Sequence, residues 1–240
     1  MRILLINANT TAAITDRLVA IGNAMAPPGV TFTGATGRFG ARYIASRAAS
    51  AIAAHASLDA WAEHGAGADA VLLGCFGDPG LDALRELAPV PVLGLADASA
   101  QAALALGRRF GVVTGGAAWK PMLEEFFFAR GYGASLAGVR TVAPSGGEIA
   151  RDPEGALALL AEACRASVAE DGADVVILGG AGLAGLAGKL AGRVEVPVIC
   201  SVEAGVRAAI AALGSGPAGL MPHEPAETIG LSAALTARLG

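Results

Sequence analysis

Cysteine, aromatic residues and charge are all scarce in this chain of 240 residues. It has three cysteines, 5% aromatic and 16% charged residues, and a net charge of −4. The widely spaced Cys75, Cys164 and Cys200 match neither a disulfide framework nor a zinc-binding pattern. We therefore expect a reduced, cytoplasmic protein without a metal. The acidic balance and the lack of a Lys/Arg run argue against nucleic acid or an anionic membrane as a partner.

Long apolar runs are also missing. None reaches the ~18 residues that a membrane-spanning helix needs. The apolar run at residues 3–6 is too short for a signal peptide, and the polar segment 7–11 follows it at once, so it predicts a first strand. Small and apolar residues are abundant instead, with 34 glycines and 54% hydrophobic residues. That composition is typical of a densely packed globular protein.

The most informative feature is an internal repeat. Residues 67–77 (GADAVLLGCFG) resemble residues 172–182 (GADVVILGGAG), and VPVL at 90–93 resembles VPVI at 196–199. A duplicated strand–loop–helix–strand unit predicts two similar halves related by a pseudo-two-fold, with equivalent loops facing a shared cleft. One loop carries Cys75 where the other carries Gly180, and this difference is the best clue to function.

Short β-branched runs alternate with longer Ala/Leu-rich segments of helical period, which predicts an α/β fold with parallel sheets covered on both faces. The predicted strands are 2–7, 30–35, 69–74, 91–95, 110–114, 137–142, 174–178 and 196–200. The predicted helices are 11–24, 44–64, 79–88, 98–107, 117–130, 153–170, 183–191, 203–213 and 226–238.

The repeat divides the chain into two doubly wound lobes. We expect the first lobe at residues 1–107, the second at 108–214, and a closing helix within 215–240. Ligands of open α/β sheets bind beyond the carboxyl ends of the strands. The loops that follow the predicted strands are therefore the candidate site.

Cys75 is the first candidate for chemistry. It ends an apolar strand, and the segment Asp78-Pro79 after it predicts a helix cap followed by a proline in the first turn. A nearby helix N-terminus would lower the pKa of the thiol and favour the thiolate. The alternative is a buried, inert cysteine.

Cys200 also ends a predicted strand and is a second candidate, with a small residue at a strand end as the alternative. Cys164 shares a helix face with Leu157, Leu160 and Ala161, which is core spacing, so we assign it no role.

Polar residues follow two pseudo-equivalent strands. Asn9 and Thr10 follow the first strand, and Thr114 with the backbone of Gly115 follows its counterpart. These groups could hold a small carboxylate or cyclic amide, although ordinary helix capping uses the same N–H groups.

Three further patterns are weaker indications of a functional site. Arg38, with Arg42, Tyr43 and Arg47 close behind it, could clamp an anion or form a solvated helix face. His223 could act as a proton shuttle. A GxGxxG pattern begins at Gly180, but the repeat partner of this segment breaks the dinucleotide fingerprint.

Taken together, these segments resemble the aspartate/glutamate racemase superfamily, and within it the hydantoin and allantoin racemase branch. The resemblance covers nearly the whole chain. It depends on residues 6–11 (INANTT), 74–80 (GCFGDPG), 110–114 (FGVVT), 178–183 (LGGAGL) and 196–199 (VPVI).

The resemblance implies a cofactor-independent enzyme in which two cysteines on opposite faces of the substrate exchange the α-proton. It assigns one acid/base role to Cys75, and enolate stabilisation to the amides of Phe76, Gly77, Ala181 and Gly182. The second cysteine is absent because Gly180 stands in its place. Cys200 stands where relatives commonly have an aspartate.

Three interpretations follow from that departure. The preferred one is a racemase or epimerase of a small acid or cyclic ureide, in which Cys200 or water replaces the second cysteine. The second is a decarboxylase of malonate-type acids that protonates the enolate from Cys75 alone, similar to the arylmalonate decarboxylase branch. The third is a catalytically inactive small-ligand binder. We expect a small-molecule partner and, by default, a homo-oligomer.

Overall fold

The computed structural model describes residues 1–143, 145–216 and 224–240. Its eight strands form two four-stranded parallel sheets, in the orders β2-β1-β3-β4 and β6-β5-β7-β8. Helices flank both sheets. The predicted α/β fold is confirmed, and each of the eight predicted strands is present within two residues of its expected ends.

The elements follow one another in strict alternation over most of the chain. The strands are β1 Arg2–Asn7, β2 Thr31–Thr36, β3 Ala70–Leu73, β4 Val92–Gly94, β5 Phe110–Gly115, β6 Leu136–Val142, β7 Val175–Leu178 and β8 Val198–Cys200. The helices are α1 Ala12–Met25, α2 Arg47–His64, α3 Leu81–Leu87, α4 Leu95–Leu104, α5 Trp119–Ala129, α6 Gly146–Arg151, α7 Pro153–Ala169, α8 Ala187–Leu190, α9 Ser201–Ala211 and α10 Ala233–Leu239, with a 3₁₀ turn at Ala181–Leu183.

The internal repeat is visible in individual hydrogen bonds. The Asp69 N–H donates to Arg2 O at 2.8 Å, and the Asp69 carboxylate accepts the Arg2 N–H. In the second sheet the Asp174 N–H donates to Arg109 O at 2.9 Å, while its carboxylate accepts the N–H groups of Arg108 and Arg109. The aspartate of the repeated sequence GAD therefore binds the start of the neighbouring strand in each sheet.

The chain divides into two compact units. One contains residues 1–94 and 206–240, and the other contains residues 95–205. The helix α4 follows the first sheet along the chain but packs on β5, β7 and β8. The first unit is therefore discontinuous in sequence and the second is contiguous, whereas the repeat itself runs through two linear halves.

In the first unit, the core lies between β1, β3 and α2. Leu4, Leu73 and Leu84 are almost completely buried there, and so is Leu235 from α10. The Arg238 guanidinium lies over the Trp61 ring, 4.9 Å from its centroid. The C-terminal helix α10 thus contributes to the core of the first unit.

In the second unit, aromatic rings fill the space between β5 and α5. Phe110 and Phe127 are fully buried and meet edge to face, with centroids 5.3 Å apart. Tyr132 completes the cluster from the loop after α5.

Several helices differ from the prediction. The predicted helix 98–107 is α4 at Leu95–Leu104, and the predicted helix 183–191 is a 3₁₀ turn at Ala181–Leu183 followed by the four-residue α8. The helix α3 begins at Leu81 after Gly80, so Asp78-Pro79 is not its cap and that prediction was wrong. A short helix, α6, was missed, although the Ser145 and Glu148 side chains form a capping box at its start. The last helix begins at Ala233, because Gly230 has a φ of +79° that interrupts the predicted span of 226–238. The predicted cap at Asp152 and Pro153 is confirmed.

Within the described residues, none of the helices has both the length and the apolar character to span a bilayer.

Replacing Asp174 by Ala should destabilise the second unit. Its two backbone N–H bonds lower the pKa of the carboxyl, so they stabilise the fold mainly above the unfolded pKa of about 4. Because the residue is exposed, we expect a loss of only about 1 kcal/mol at neutral pH. Urea unfolding should show the difference from wild type shrinking as the pH falls below about 4 and through the lower folded pKa. Glu195→Ala, an exposed control, should show neither effect; equal behaviour of the two variants would contradict the role given to Asp174.

Candidate active site

The loop after β1 is organised by a buried asparagine that sequence reasoning did not single out. Asn7 is fully buried, and its Nδ2 donates to Asn9 Oδ1 at 3.0 Å and Thr15 Oγ1 at 3.1 Å. The backbone carbonyl of Asn7 accepts the Gly37 N–H at 2.8 Å. Such a connected polar network fixes the loop in one conformation.

Asn9 is held with its amide group in a defined orientation. Its Oδ1 accepts the Thr11 N–H at 2.9 Å, and since a backbone N–H can only donate, the accepting atom has to be the oxygen. The Asn9 NH₂ group donates to no described residue, so it can donate to a ligand oxygen. Thr10, by contrast, uses its N–H to bond Ala41 O at 3.1 Å. The structure therefore supports a binding role for Asn9 more directly than for Thr10.

The loop after β3 carries Cys75 through a tight turn. Gly77, Asp78 and Gly80 have φ values of +107°, +48° and +87°. The Asp78 N–H donates to Cys75 O at 3.1 Å, and the Leu81 N–H donates to Asp78 O at 3.1 Å. Asp78 is the one non-glycine residue with positive φ among the described residues, and residues held in this region cluster at functional sites.

The expected lowering of the Cys75 pKa was wrong. Burial of the thiol, and secondarily the Asp78 carboxylate, raise its pKa to about 12. The predicted cause is also absent, because α3 begins six residues later and has only seven residues. Cys75 is therefore a thiol that can donate a proton, in an environment that disfavours the free thiolate.

In the second unit, side chains connect the loops after three neighbouring strands. The Thr114 hydroxyl, at the end of β5, donates to Gly179 O at 2.7 Å. The Gly180 N–H, after β7, donates to Ser201 Oγ at 3.1 Å. Ser201 immediately follows Cys200, the last residue of β8. Thr114, Gly180 and Cys200 are thus brought together at one edge of the sheet, as predicted for residues that follow parallel strands.

Gly180 leaves space where its repeat partner has a thiol. A Cβ at Gly180 would lie 3.6 Å from Leu183 Cδ1 and 3.7 Å from Thr114 Oγ1, which is ordinary contact. The φ of +123°, however, is one that side-chain-bearing residues rarely adopt. The backbone here has a glycine conformation, which differs from the conformation at Cys75.

Backbone N–H groups in both loops remain available. Those of Gly77, Ala181 and Gly182 donate to no acceptor within residues 1–143, 145–216 and 224–240. Unpaired N–H groups at a sharp turn can donate to an oxyanion. Phe76 is buried beside Cys75, and Gly115 is buried at the end of β5.

Other candidates fall outside these two loop clusters. The Arg38 guanidinium binds the buried Asp59 carboxylate through two bonds of 2.8 and 2.9 Å, so its charge is already paired. Cys164 is fully buried in α7, as its core spacing predicted. The GxGxxG segment forms a 3₁₀ turn, where a dinucleotide site would need the start of a long helix. His223 lies outside the described residues.

A family model described as "Asp/Glu/Hydantoin racemase" matches residues 3–209. The chain belongs to this family. It is 33% identical over 220 residues to a hydantoin racemase of Paenarthrobacter aurescens, and the match covers 89% of this chain and 92% of that protein. It is 38% identical over 150 residues to a hydantoin racemase of Rhizobium meliloti, but there the match spans only 62% of each chain.

Several solved structures are similar to this fold. The allantoin racemase of Pseudomonas fluorescens superposes with a TM-score of 0.90 at 33% identity, over 96% of this chain and 100% of that one. The allantoin racemase of Klebsiella pneumoniae gives 0.85 at 29% identity, over 98% of both chains. Arylmalonate decarboxylase gives 0.64 at 20% identity, covering 90% and 93%, which shows a shared fold alone.

Sequence reasoning overlooked three residues of these loops. All three lie in the loops predicted to face a ligand, but Asn7 was otherwise predicted as the end of a strand, Asp78 as a helix cap, and Ser201 received no individual role. A polar residue directly after a buried apolar strand was the signal for Asn7 and Ser201. For Asp78, the three glycine or proline neighbours in GDPG were compatible with a turn as well as with a cap.

Replacing Thr114 by Val should loosen the loop that contains Gly180. The substitution preserves shape but leaves the buried Gly179 carbonyl without its 2.7 Å bond, a loss of about 1–3 kcal/mol. Urea unfolding at neutral pH measures it. Thr31→Val, at an exposed strand position, should change stability by less than about 0.5 kcal/mol. Equal stability of Thr114→Val and wild type would show that the bond does not hold the loop.

Proposed function

We propose that this protein is a cofactor-independent racemase, an isomerase that moves the α-proton of a cyclic ureide such as a hydantoin or allantoin. The observation that carries the proposal is Cys75, a buried thiol in a glycine-flanked turn after β3, in a chain of the Asp/Glu/hydantoin racemase family. The hydantoin and allantoin racemases among its relatives support the choice of a cyclic ureide over an amino acid.

The reaction needs a group that exchanges one proton with the carbon next to a carbonyl. When that proton leaves, negative charge moves to the carbonyl oxygen, and this charge needs preorganised donors. The free N–H groups of Gly77, Ala181 and Gly182 are donors of this kind, and the Asn9 NH₂ group is a side-chain donor. Thr10, Phe76, Thr114 and Gly115 complete the proposed binding residues.

Cys75 starts the cycle as an acid. Because burial raises its pKa to about 12, the thiol is protonated at pH 7. The resting enzyme therefore holds the proton that the enolate carbon receives. In the reverse direction the same sulfur takes the proton back as a thiolate. A thiolate of high basicity suits a weakly acidic C–H bond, because proton transfer between groups of similar basicity is less uphill.

The second proton requires a substitute for the missing cysteine. Loss of one general acid/base typically costs about 10²–10⁴ in rate if nothing replaces it. Cys200 is a buried thiol next to Ser201, whose hydroxyl binds the Gly180 N–H. We propose that Cys200, or a water molecule in the space beside Gly180, is this group: it takes the α-proton when Cys75 donates, and it returns a proton when Cys75 accepts one.

The two other interpretations receive less support. The decarboxylase interpretation depends on the single-cysteine arrangement, but the decarboxylase resembles this chain at only 20% identity. A binder without catalysis would not require a proton-donating thiol in a strained turn. The racemase remains the proposal that the relatives favour.

Cys75→Ser should reduce α-proton exchange by at least about 10²-fold, because a serine hydroxyl is a far weaker acid and base at this position. The measurement uses purified protein in D₂O with single enantiomers of 5-substituted hydantoins and of allantoin. Mass spectrometry follows deuterium gain and loss of CO₂, and optical rotation follows racemisation.

The matched control is Cys164→Ala, which removes a thiol from the core of α7 and should retain exchange. Exchange by wild type that persists in Cys75→Ser would overturn the proposed mechanism. Loss of CO₂ from an aryl malonate in the same panel, with no exchange on hydantoins, would favour the decarboxylase instead.

Cys200→Ser separates the two candidates for the second proton. If Cys200 supplies it, solvent deuterium exchange from one enantiomer should fall by about 10²-fold while exchange from the other changes less. If water supplies it, both rates should stay near wild type. Initial rates of exchange for each enantiomer, taken before racemisation advances, provide the comparison.

A further inference from the structure

Among the differences between the two repeat copies around the Cys75 loop, three concern the thiol and its neighbours. The two copies can be aligned at the hydrogen bond that ends each central strand pair. The Gly74 N–H donates to Ile6 O in the first copy, and the Gly179 N–H donates to Val113 O in the second. Counting from there, Cys75 corresponds to Gly180 and Asp78 corresponds to Leu183. The register of β3 on β4 and of β7 on β8 makes Gly94 the counterpart of Cys200.

Two of these differences are coupled in space. Asp78 is only 3% exposed, and its carboxylate occupies the space over Gly94, where any Cβ would overlap it. In the other copy the aspartate is a leucine, and the glycine is a cysteine. In the first copy, Gly94 therefore leaves room for the buried Asp78 carboxylate. The second copy has neither the glycine nor the carboxylate.

The backbone also adapts to this carboxylate. Asp78 has a φ of +48°, which costs free energy for any residue with a Cβ, and its N–H and carbonyl are both bonded within the turn. Its N–H bonds the carbonyl of Cys75 itself at 3.1 Å. Residues with a Cβ keep a positive φ only where the surrounding structure holds them, and such residues cluster at functional sites.

We propose that Asp78 is a positioning residue for Cys75: its bond to the Cys75 carbonyl fixes the turn that carries the sulfur, and its carboxylate, held over Gly94, keeps the resting sulfur protonated. The inference rests on the proposed function, which it deepens by assigning Cys75 its protonated form at the start of turnover. In each donation the S–H bond breaks, the proton forms a C–H bond at the enolate carbon, and the electron pair stays on sulfur until a proton returns.

Electrostatics supports this assignment. Asp78 is the charged group that acts on Cys75, and it adds to the effect of burial in raising the thiol pKa. Negative charge near a thiol opposes formation of a second negative charge, and a low-dielectric loop strengthens that opposition. The equivalent leucine in the second unit exerts no such effect.

Asp78→Asn tests the proposal without disturbing the turn. Asparagine has nearly the same shape and tolerates positive φ better than most residues, while it removes the charge. The assay is peptide-resolved alkylation of the folded protein by iodoacetamide as a function of pH, with Cys164 and Cys200 as internal references. We expect Cys75 in Asp78→Asn to react at least about threefold faster at neutral pH, and its pH midpoint to fall, since each pH unit corresponds to a tenfold change in thiolate.

Asp82→Asn is the matched control. It removes an exposed carboxylate from the first turn of α3 and should leave the Cys75 alkylation profile unchanged. If Asp78→Asn keeps a wild-type circular dichroism spectrum and an unchanged Cys75 profile, the proposal is overturned. If Asp78→Asn does not fold, Asp78→Gly replaces it, because glycine adopts the same φ freely; the same two outcomes then decide.

Alkylation does not depend on turnover, so the two proposals can fail separately. A shifted Cys75 profile in a protein that exchanges no α-proton would reject the racemase while the control of Cys75 by Asp78 stands. An unshifted profile in an active racemase would reject only the role of Asp78. In an active racemase the pH profile of kcat/KM should move to lower pH in Asp78→Asn, as the alkylation midpoint does.

Discussion

The hydrogen bond that ends each central strand pair determines where chemistry can begin in this molecule. Gly74 donates to the carbonyl of Ile6, and Gly179 donates to the carbonyl of Val113, at 2.7 and 2.9 Å. Up to these bonds the backbone groups of β3 and β7 are paired within a buried sheet. Beyond them the chain turns, N–H groups become free, and glycines allow the backbone to adopt positive φ. The free donors and Cys75 exist because the ladder stops at this point.

The same constraint acts on both repeat copies, yet their loops have diverged in electrostatic character. The first copy combines a thiol with a buried carboxylate. The second copy has neither and holds its loop with neutral hydroxyl bonds from Thr114 and to Ser201. The two copies therefore share the ladders and the aspartates Asp69 and Asp174 at the strand starts, and they differ at the residues that govern proton affinity. Within the repeat, the strand positions stabilise the fold, and the loop positions determine the chemistry.

The sequence was sufficient for the elements that repeat and for the residues at strand ends. Apolar strand patterns and the "GAD" repeat predicted all eight strands and the convergence of Thr114, Gly180 and Cys200. Sequence reasoning failed for the pKa of Cys75, which depends on desolvation. The pKa of Cys75 follows from the depth of its loop and from Asp78 across a turn, and neither can be read from spacing. The helix α6 was missed because its first two residues are glycines, although Ser145 and Glu148 form a capping pair that the sequence shows.

The discontinuity of the first unit bears on how the chain can fold during synthesis. Residues 95–205 form a contiguous unit, so its core can close once they leave the ribosome. The other unit includes 206–240, with Leu235 in its core and Arg238 over the Trp61 ring. Its apolar strands must therefore wait, partly uncovered, while more than a hundred residues are translated. At typical elongation rates of about 5–20 residues per second, that delay is on the order of seconds. The Cys75 loop belongs to the part of the molecule that matures last.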